Sequence, residues 1–226
     1  MTMPGFVVRR TGTQKTKSLL CGALFLCGLV LFGVGEWKSY PLLAELKMPD
    51  KGAHMNRAIN VIQCTLLALG WKSSGSAIPD VKAFYAPTAS MSAGALCYNA
   101  YLCALFGLMM LFNLDALFEG YGFESEGLLK KWVAMIFSGM AQALVSSAII
   151  SLFMLGADKT TTGGLMRSQW CFYSMTFTMG CMASTLSMNY ACPTMPVEGQ
   201  YFNMGLWVVG GVLPFKAMTG KFPLMN

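Results

Sequence analysis

The sequence predicts an all-α, polytopic membrane protein with four transmembrane helices and short interfacial or re-entrant helices between them. Only 12% of its 226 residues are charged, roughly half of the share found in soluble domains. These charges are confined to short zones and leave four long uncharged stretches. Each stretch provides the ~20 mostly apolar residues that a bilayer-spanning helix needs. The whole chain, 1–226, is therefore expected to form one integral membrane domain.

The first span is predicted at residues 18–35. The residues before it include four basic side chains and no acidic one, which is the composition of a targeting signal. We expect that signal to be retained as the first span. The uniform apolarity of the stretches favours helices, because a lipid-exposed barrel would show shorter segments of alternating polarity.

Two apolar segments are too short to be predicted as spans. Residues 58–71 are uncharged but number only 14, a length typical of an interfacial, re-entrant or protein-covered helix. Trp71 and Lys72 would anchor this helix at the membrane surface, and a helix packed under the loop is an equal alternative. Residues 204–215 contain two adjacent glycines and a proline. They are predicted to form an interfacial or partly buried segment, although a fifth span remains open.

The remaining spans are predicted at residues 93–114, 132–157 and 169–191. The connector between the third and fourth spans is short, so these two helices should be antiparallel neighbours. The basic residues divide equally between the two sides of such a four-span chain, eight and eight. The first helix often dominates orientation, which favours both termini on the side where synthesis occurs.

Small residues recur every fourth position in two of these spans and predict close helix packing. Such residues let helix backbones approach closely where hydrophobicity cannot drive association. We expect the ridges of spans three and four to pack against each other. The ridge residues are Gly139, Ala143, Ser147 and Ser151 in span three, and Thr176, Gly180 and Ser184 in span four.

Three amides of the predicted spans are candidates for intramembrane contacts: Asn99, Gln142 and Asn189. An amide in hydrocarbon requires a partner, and interhelical hydrogen bonds of this kind contribute ~0.6 kcal/mol on average. The predicted role is therefore to join helices. The alternative is a contact with a cofactor, a quinone or a lipid.

The sequence contains no recognisable reaction centre, so no catalytic, cofactor-binding or metal-binding residue is predicted. No charge falls inside the four windows, which argues against an ion pathway or proton relay. One histidine cannot form a bis-His haem site or a multi-His zinc site. Basic residues are scattered between spans rather than clustered, so nucleic acid is not an expected partner. Structural lipids are the only expected bound molecules.

The compartment is predicted from what the loops lack. No Asn-x-Ser/Thr acceptor occurs, and no predicted loop contains two cysteines that could close it. These features favour an organellar membrane over the cell surface. The mitochondrial inner membrane is favoured over the thylakoid or plasma membrane.

Three functional hypotheses follow. The first is a non-catalytic accessory subunit of a larger membrane complex, such as a respiratory-chain assembly, with other membrane subunits as partners. The second is a stand-alone organiser of vesicle or plasma membranes, since four helices with the longest loop first are similar in topology to MARVEL-domain and claudin-type proteins. The claudin pattern of a Trp motif with two nearby cysteines is not present. The third is a small channel, transporter or membrane enzyme, with Asn99, Gln142 and Asn189 around a shared cavity.

Overall fold

A computed structural model describes residues 13–47, 50–80, 82, 85, 90–120, 127–157, 162, 164–166, 169 and 197–220. Every regular element in these residues is helical, which confirms the predicted fold class at that level. The elements are α1 (Gln14–Val34), a π-helical segment (Gly35–Ser39), α2 (Tyr40–Glu45), α3 (Asp50–Ser73), α4 (Met91–Phe112), α5 (Leu114–Gly120), α6 (Gly127–Met154) and α7 (Val197–Thr219).

Three of the described helices are long and apolar enough to cross a membrane: Gln14–Glu45, Met91–Phe112 and Lys130–Met154. They coincide with the windows predicted at 18–35, 93–114 and 132–157. The fourth window, 169–191, lies outside the described residues except for Gln169. Two of the helices begin at hydroxyl caps, because the side chains of Thr13 and Ser90 accept hydrogen bonds from backbone N–H groups in the first turn.

The helices pack side by side in the order α3, α1, α6, α4, α7. One core cluster lies where α1 and α4 begin and α6 ends, and contains Leu19, Leu96 and Met154. A second cluster lies where α1 and α4 end, and contains Val34 and Met110. We call these the proximal and distal ends. Helices α1 and α4 thus run from the proximal to the distal end, and α6 runs back.

Helix α3 runs antiparallel to α1 along its length. Arg57, near the start of α3, pairs with Glu36 at the distal end. Trp71, near the end of α3, contacts α1 at the proximal end, where its ring centre lies 6.1 Å from that of Phe25. The chain therefore returns to the proximal end before α4 begins.

Helix α7 runs antiparallel to α4. The Trp207 ring lies 5.6 Å from the Phe106 ring, and Tyr98 donates a hydrogen bond to the carbonyl of Leu206 at 2.8 Å. Later in α7, Leu213 and Ala217 pack against the proximal core. Helix α7 therefore begins near the distal end and finishes at the proximal end.

The structure places both short segments within longer helices. Residues 58–71 are the later part of a 24-residue helix, and residues 204–215 lie within a 23-residue helix. Both helices run between the two ends of the molecule rather than along one of them. The sequence does not reveal the full length of α3, because a charged residue such as Arg57 is typical of a loop between spans. Its pairing with Glu36 is visible only in the structure.

Candidate functional site

Helices α4 and α6 approach most closely at Gly107. A Cβ added at this glycine would lie 2.8 Å from Val145 Cγ2, 3.2 Å from the Val145 nitrogen and 3.3 Å from the Ala141 carbonyl oxygen. Two of these atoms belong to the backbone and cannot rotate away. Gly107 thus permits a closer approach of the two backbones than a larger residue would allow without shifting its neighbours.

This close approach brings Asn99 of α4 against the serines of α6. Asn99 is 1% exposed, and its Nδ2 donates to Ser147 Oγ at 3.3 Å and to Ser151 Oγ. Cys103 Sγ donates to Asn99 Oδ1 at 3.4 Å. Gln169 Nε2 also donates to Ser151 Oγ, at 3.1 Å. We call these five residues the amide cluster.

The amide cluster is suited to holding helices together. Its groups are amides, hydroxyls and a thiol, which exchange hydrogen bonds but include no acid or base. A buried amide without partners would cost several kcal/mol in hydrocarbon, so the bonds from Asn99 to Ser147 and Ser151 favour the paired arrangement of α4 and α6. The predicted role of Asn99 as an interhelical contact agrees with this geometry.

The small-residue ridge of α6 is divided between two directions. Ser147 and Ser151 face α4, whereas Gly139 and Ala143 are exposed in the described structure. A Cβ added at Gly139 would meet no atom within 4 Å. The division arises because four residues exceed one helical turn of 3.6, so the ridge winds around the helix. Its predicted partners Thr176, Gly180 and Ser184, and the amide Asn189, lie outside the described residues.

The second in-span amide, Gln142, joins α6 to the π-helical segment. Its Nε2 donates to Ser39 Oγ at 3.3 Å, and Ser39 Oγ lies 3.1 Å from Ser138 Oγ. Gln142 and Asn99 therefore belong to separate polar groups, at different heights on α6. The channel hypothesis requires three amides around a shared cavity. Two of them, Asn99 and Gln142, do not come together.

The π-helical segment contacts three helices through successive side chains. Glu36 accepts two hydrogen bonds from Arg57 of α3, at 2.6 and 2.9 Å. The Trp37 ring lies 5.3 Å from the Phe112 ring of α4, while Ser39 reaches α6. One irregular turn thus ties the distal ends of the helices together, and such turns are frequent at functional positions.

A cavity of about 250 Å³ opens beside this segment at the distal end. Its lining is mainly apolar, with Lys38, Glu45 and Ser138 as polar members. Glu45 pairs with Lys131 at 2.7 Å, and the Lys38 ammonium lies 4.3 Å from the Trp37 ring centre. The cavity could take an apolar chain, but no pair of its lining groups forms an acid–base or nucleophilic site.

Sequence reasoning missed three glycines that set helix distances. Gly107 continues the four-residue spacing of Asn99 and Cys103, and this spacing was the available signal. Gly22 and Gly28 of α1 meet side chains of α3 instead. A Cβ at Gly22 would lie 2.9 Å from Trp71 Nε1, and one at Gly28 would lie 2.7 Å from Cys64 Sγ.

Histidine, cysteine and acidic side chains are present in the described part of the chain. There, no three His, Cys, Asp or Glu side chains lie close enough together to hold a metal ion. The five cysteines described are free thiols, and Cys27 donates to the carbonyl of Ser146 at 3.5 Å.

No known protein family, curated protein or solved structure matches this sequence. Inference about function therefore rests on the side chains and their positions.

Proposed function

We propose that this chain is a non-catalytic accessory subunit of a larger membrane protein complex. The observation that carries the proposal is the use made of its in-span amides. Asn99 and Gln142 both bond side chains on neighbouring helices, which is the role of an amide that holds a bundle together. In this proposal the complex is a respiratory or other energy-transducing assembly of the mitochondrial inner membrane, a compartment suggested by the sequence alone.

The proposal includes a fourth apolar span at residues 169–191. Helix α6 ends at the proximal end and α7 begins near the distal end, so the intervening chain has to return across the bundle. Gln169 bonds Ser151 near the proximal end of α6, where that return would start. The exposed Gly139 and Ala143 supply the surface on which the fourth span would pack.

With α3 and α7 counted as crossings, basic residues are no longer divided equally. In this arrangement ten basic residues would flank the proximal end and six the distal end. An excess of Lys and Arg marks the side on which loops are retained. We therefore place the proximal end on that side, which is the matrix in the proposed compartment. The ten are Arg9, Arg10, Lys15, Lys17, Lys72, Lys82, Lys159, Arg167, Lys216 and Lys221, and the six are Lys38, Lys47, Lys51, Arg57, Lys130 and Lys131.

Native electrophoresis tests the accessory-subunit proposal. The full chain, tagged at its C terminus, is extracted from its own membrane with a mild detergent and separated without denaturation. We expect it to migrate with a defined assembly much larger than 24.5 kDa plus its detergent. Migration as a free monomer at several detergent concentrations would refute the proposal and favour the stand-alone organiser.

Epitope insertion tests the arrangement of crossings. One epitope is placed after Lys47, at the distal end, and another after Gly75, at the proximal end. In sealed vesicles we expect protease to remove one epitope and spare the other, because α3 separates them. Protection of both, or removal of both, would show that residues 36–92 form a loop on one side.

A further inference from the structure

Helix α3 presents a regular apolar stripe on the side facing away from α1. The stripe consists of Met55, Ile59, Ile62, Leu66 and Leu69, with exposed fractions of 62%, 42%, 58%, 63% and 59%. Its spacing alternates between four and three residues, which is the a/d pattern of a helix that packs against another helix. The opposite side of α3, with Ala53, Cys64 and Trp71, faces α1.

Amides flank this stripe on one side. Asn56 and Gln63 occupy the positions directly after Met55 and Ile62, and both are exposed. Neither forms a hydrogen bond with any residue that the structure describes. Thr65 on the other flank differs, because its hydroxyl donates to the carbonyl of Val61 at 2.8 Å. The side chains of Asn56 and Gln63 therefore retain free bonding capacity beside an apolar seam.

The position of Gln63 across the bundle makes lipid an unsuitable neighbour. Its chain neighbour Cys64 contacts α1 at Gly28, which lies halfway along the uncharged run between Lys17 and Glu36. At this depth an unpaired amide facing acyl chains costs several kcal/mol. Consistently, α3 is not among the helices apolar enough to span a membrane unaided, despite its 24 residues.

We propose that the outward face of α3 binds an apolar helix of another membrane polypeptide. The stripe packs against apolar residues of that helix at the same seven-residue repeat. Gln63 and Asn56 donate and accept hydrogen bonds to polar side chains beside the partner's seam, as amides do between membrane helices. This inference rests on the proposed function and names the surface through which the accessory subunit joins its complex.

A second copy of the chain fits this surface poorly. Two copies with the same orientation in a membrane pair around a two-fold axis along the membrane normal, so their α3 helices are parallel. In a parallel pair the position occupied by Gln63 faces position 58 of the other copy. Residue 58 is alanine, which offers the amide no side-chain partner. A different polypeptide is needed to satisfy Gln63.

Site-specific photo-crosslinking tests the proposal in the native membrane. A benzophenone amino acid is placed singly at Ile62 and Leu66 on the stripe. Matched controls carry it at Val61, which is 54% exposed but off the stripe, and at Leu105 and Leu108 on the outer face of α4. We expect Ile62 and Leu66 to give one adduct with the same polypeptide, crosslinked within an apolar helix of it, and the controls to give little of that adduct.

A Gln63→Leu variant supplies a second measurement. Loss of its interhelical bond should lower the fraction of chain in the assembly by about three-fold under limiting detergent, and it should weaken the adduct at Ile62. Adducts with lipid only, or with a second copy of the chain, would overturn the α3 proposal. If such adducts form while the chain still migrates with a large assembly, only the α3 proposal fails and the accessory-subunit proposal stands. If the chain migrates as a free monomer, both proposals fail.

Discussion

Helices α4 and α3 both expose an apolar face, but they place their amides on opposite sides. In α4, Asn99 is turned inward and bonded, and the outer face consists of Tyr101, Leu105, Leu108 and Phe112. In α3, Gln63 is turned outward beside the stripe. An apolar face alone therefore does not distinguish lipid from protein as its neighbour. The position of the amide does, because hydrocarbon cannot satisfy it.

The contacts that α4 and α3 make with the rest of the bundle also differ. Helix α4 meets α6 through backbone atoms around Gly107, whereas α3 meets α1 through side chains such as Cys64. Backbone contacts fix the distance between two helices, while side-chain contacts can adjust. We therefore expect the α4–α6 contact at Gly107 to tolerate less added volume than the α3–α1 contact at Gly28.

The largest expected effect is that of Gly107→Ala. The new methyl group would press on the Val145 nitrogen and the Ala141 carbonyl, and overpacking of this kind costs about 1–3 kcal/mol. Gly28→Ala is the matched control on the α3 side, where the Cys64 thiol can rotate away. Stability is measured by SDS titration of the purified chain in mild detergent, followed by tryptophan fluorescence. Equal losses for the two variants would contradict the distinction between rigid and adaptable contacts.

Asn99→Ala should have the next largest effect. It removes the bonds to the half-buried Ser147 and the buried Ser151, although Ser151 keeps its bond from Gln169. This loss should cost about 1–2 kcal/mol in the same titration. Leu105→Ala, on the outer face of α4, should change stability little. A double-mutant cycle of Asn99→Ala with Ser151→Ala should show non-additive losses. Additive losses would mean that the amide cluster does not hold α4 to α6.

A smaller loss is expected for Glu36→Gln, which weakens the attachment of α3 to the π-helical segment. The side chains of Glu36 and Arg57 are each about a third exposed, at 36% and 35%, so water and salt screen their attraction. The loss should therefore shrink as salt concentration rises. Glu119→Gln, at an exposed carboxylate, is the control. A loss equal to that of Asn99→Ala would mean that the Glu36–Arg57 pair holds α3 more strongly than its partial exposure indicates.

The smallest effect on the isolated chain is expected for Gln63→Leu. Because Gln63 bonds no described residue, its removal should change the unfolding free energy by less than about 0.5 kcal/mol. The same variant is expected to weaken the assembly. A marked destabilisation of the isolated chain would instead place Gln63 in an internal contact.

Much of the bundle could be predicted from the lengths of the uncharged stretches, because long uncharged stretches are what a hydrocarbon core requires of the helices that cross it. The windows at 18–35, 93–114 and 132–157 each lie on a described helix. Helix α3 escaped this reasoning because it carries Arg57 and several amides. Arg57 pairs with Glu36, a residue 21 positions away, and sequence spacing does not reveal such a pair.

The polar residues were identified more accurately than their partners. Asn99 and Gln142 were predicted to join helices, and each donates a hydrogen bond to a side chain of another helical element. The ridge was predicted to face span four, and Gln169, the first residue of that predicted span, does bond Ser151. Helix α4 also contacts Ser147 and Ser151 through Asn99, which was not predicted. Small-residue spacing shows that a helix approaches closely but carries no information on which helix does so. The π-helical segment had no sequence signal, because the residues GEWKS show no pattern that distinguishes a π-helical turn from an α-helical turn.

That irregular turn lets the first long helical element hold one residue more than regular winding would, without losing its direction. The N–H of Tyr40 bonds to the carbonyl of Gly35, five residues back, so the turn holds one residue more than an α-helical turn. In a regular α-helix one additional residue would rotate everything downstream by about 100° about the axis. Because the wider turn absorbs the extra residue, Glu45 still faces Lys131. The segment therefore acts as a phase correction between α1 and α2.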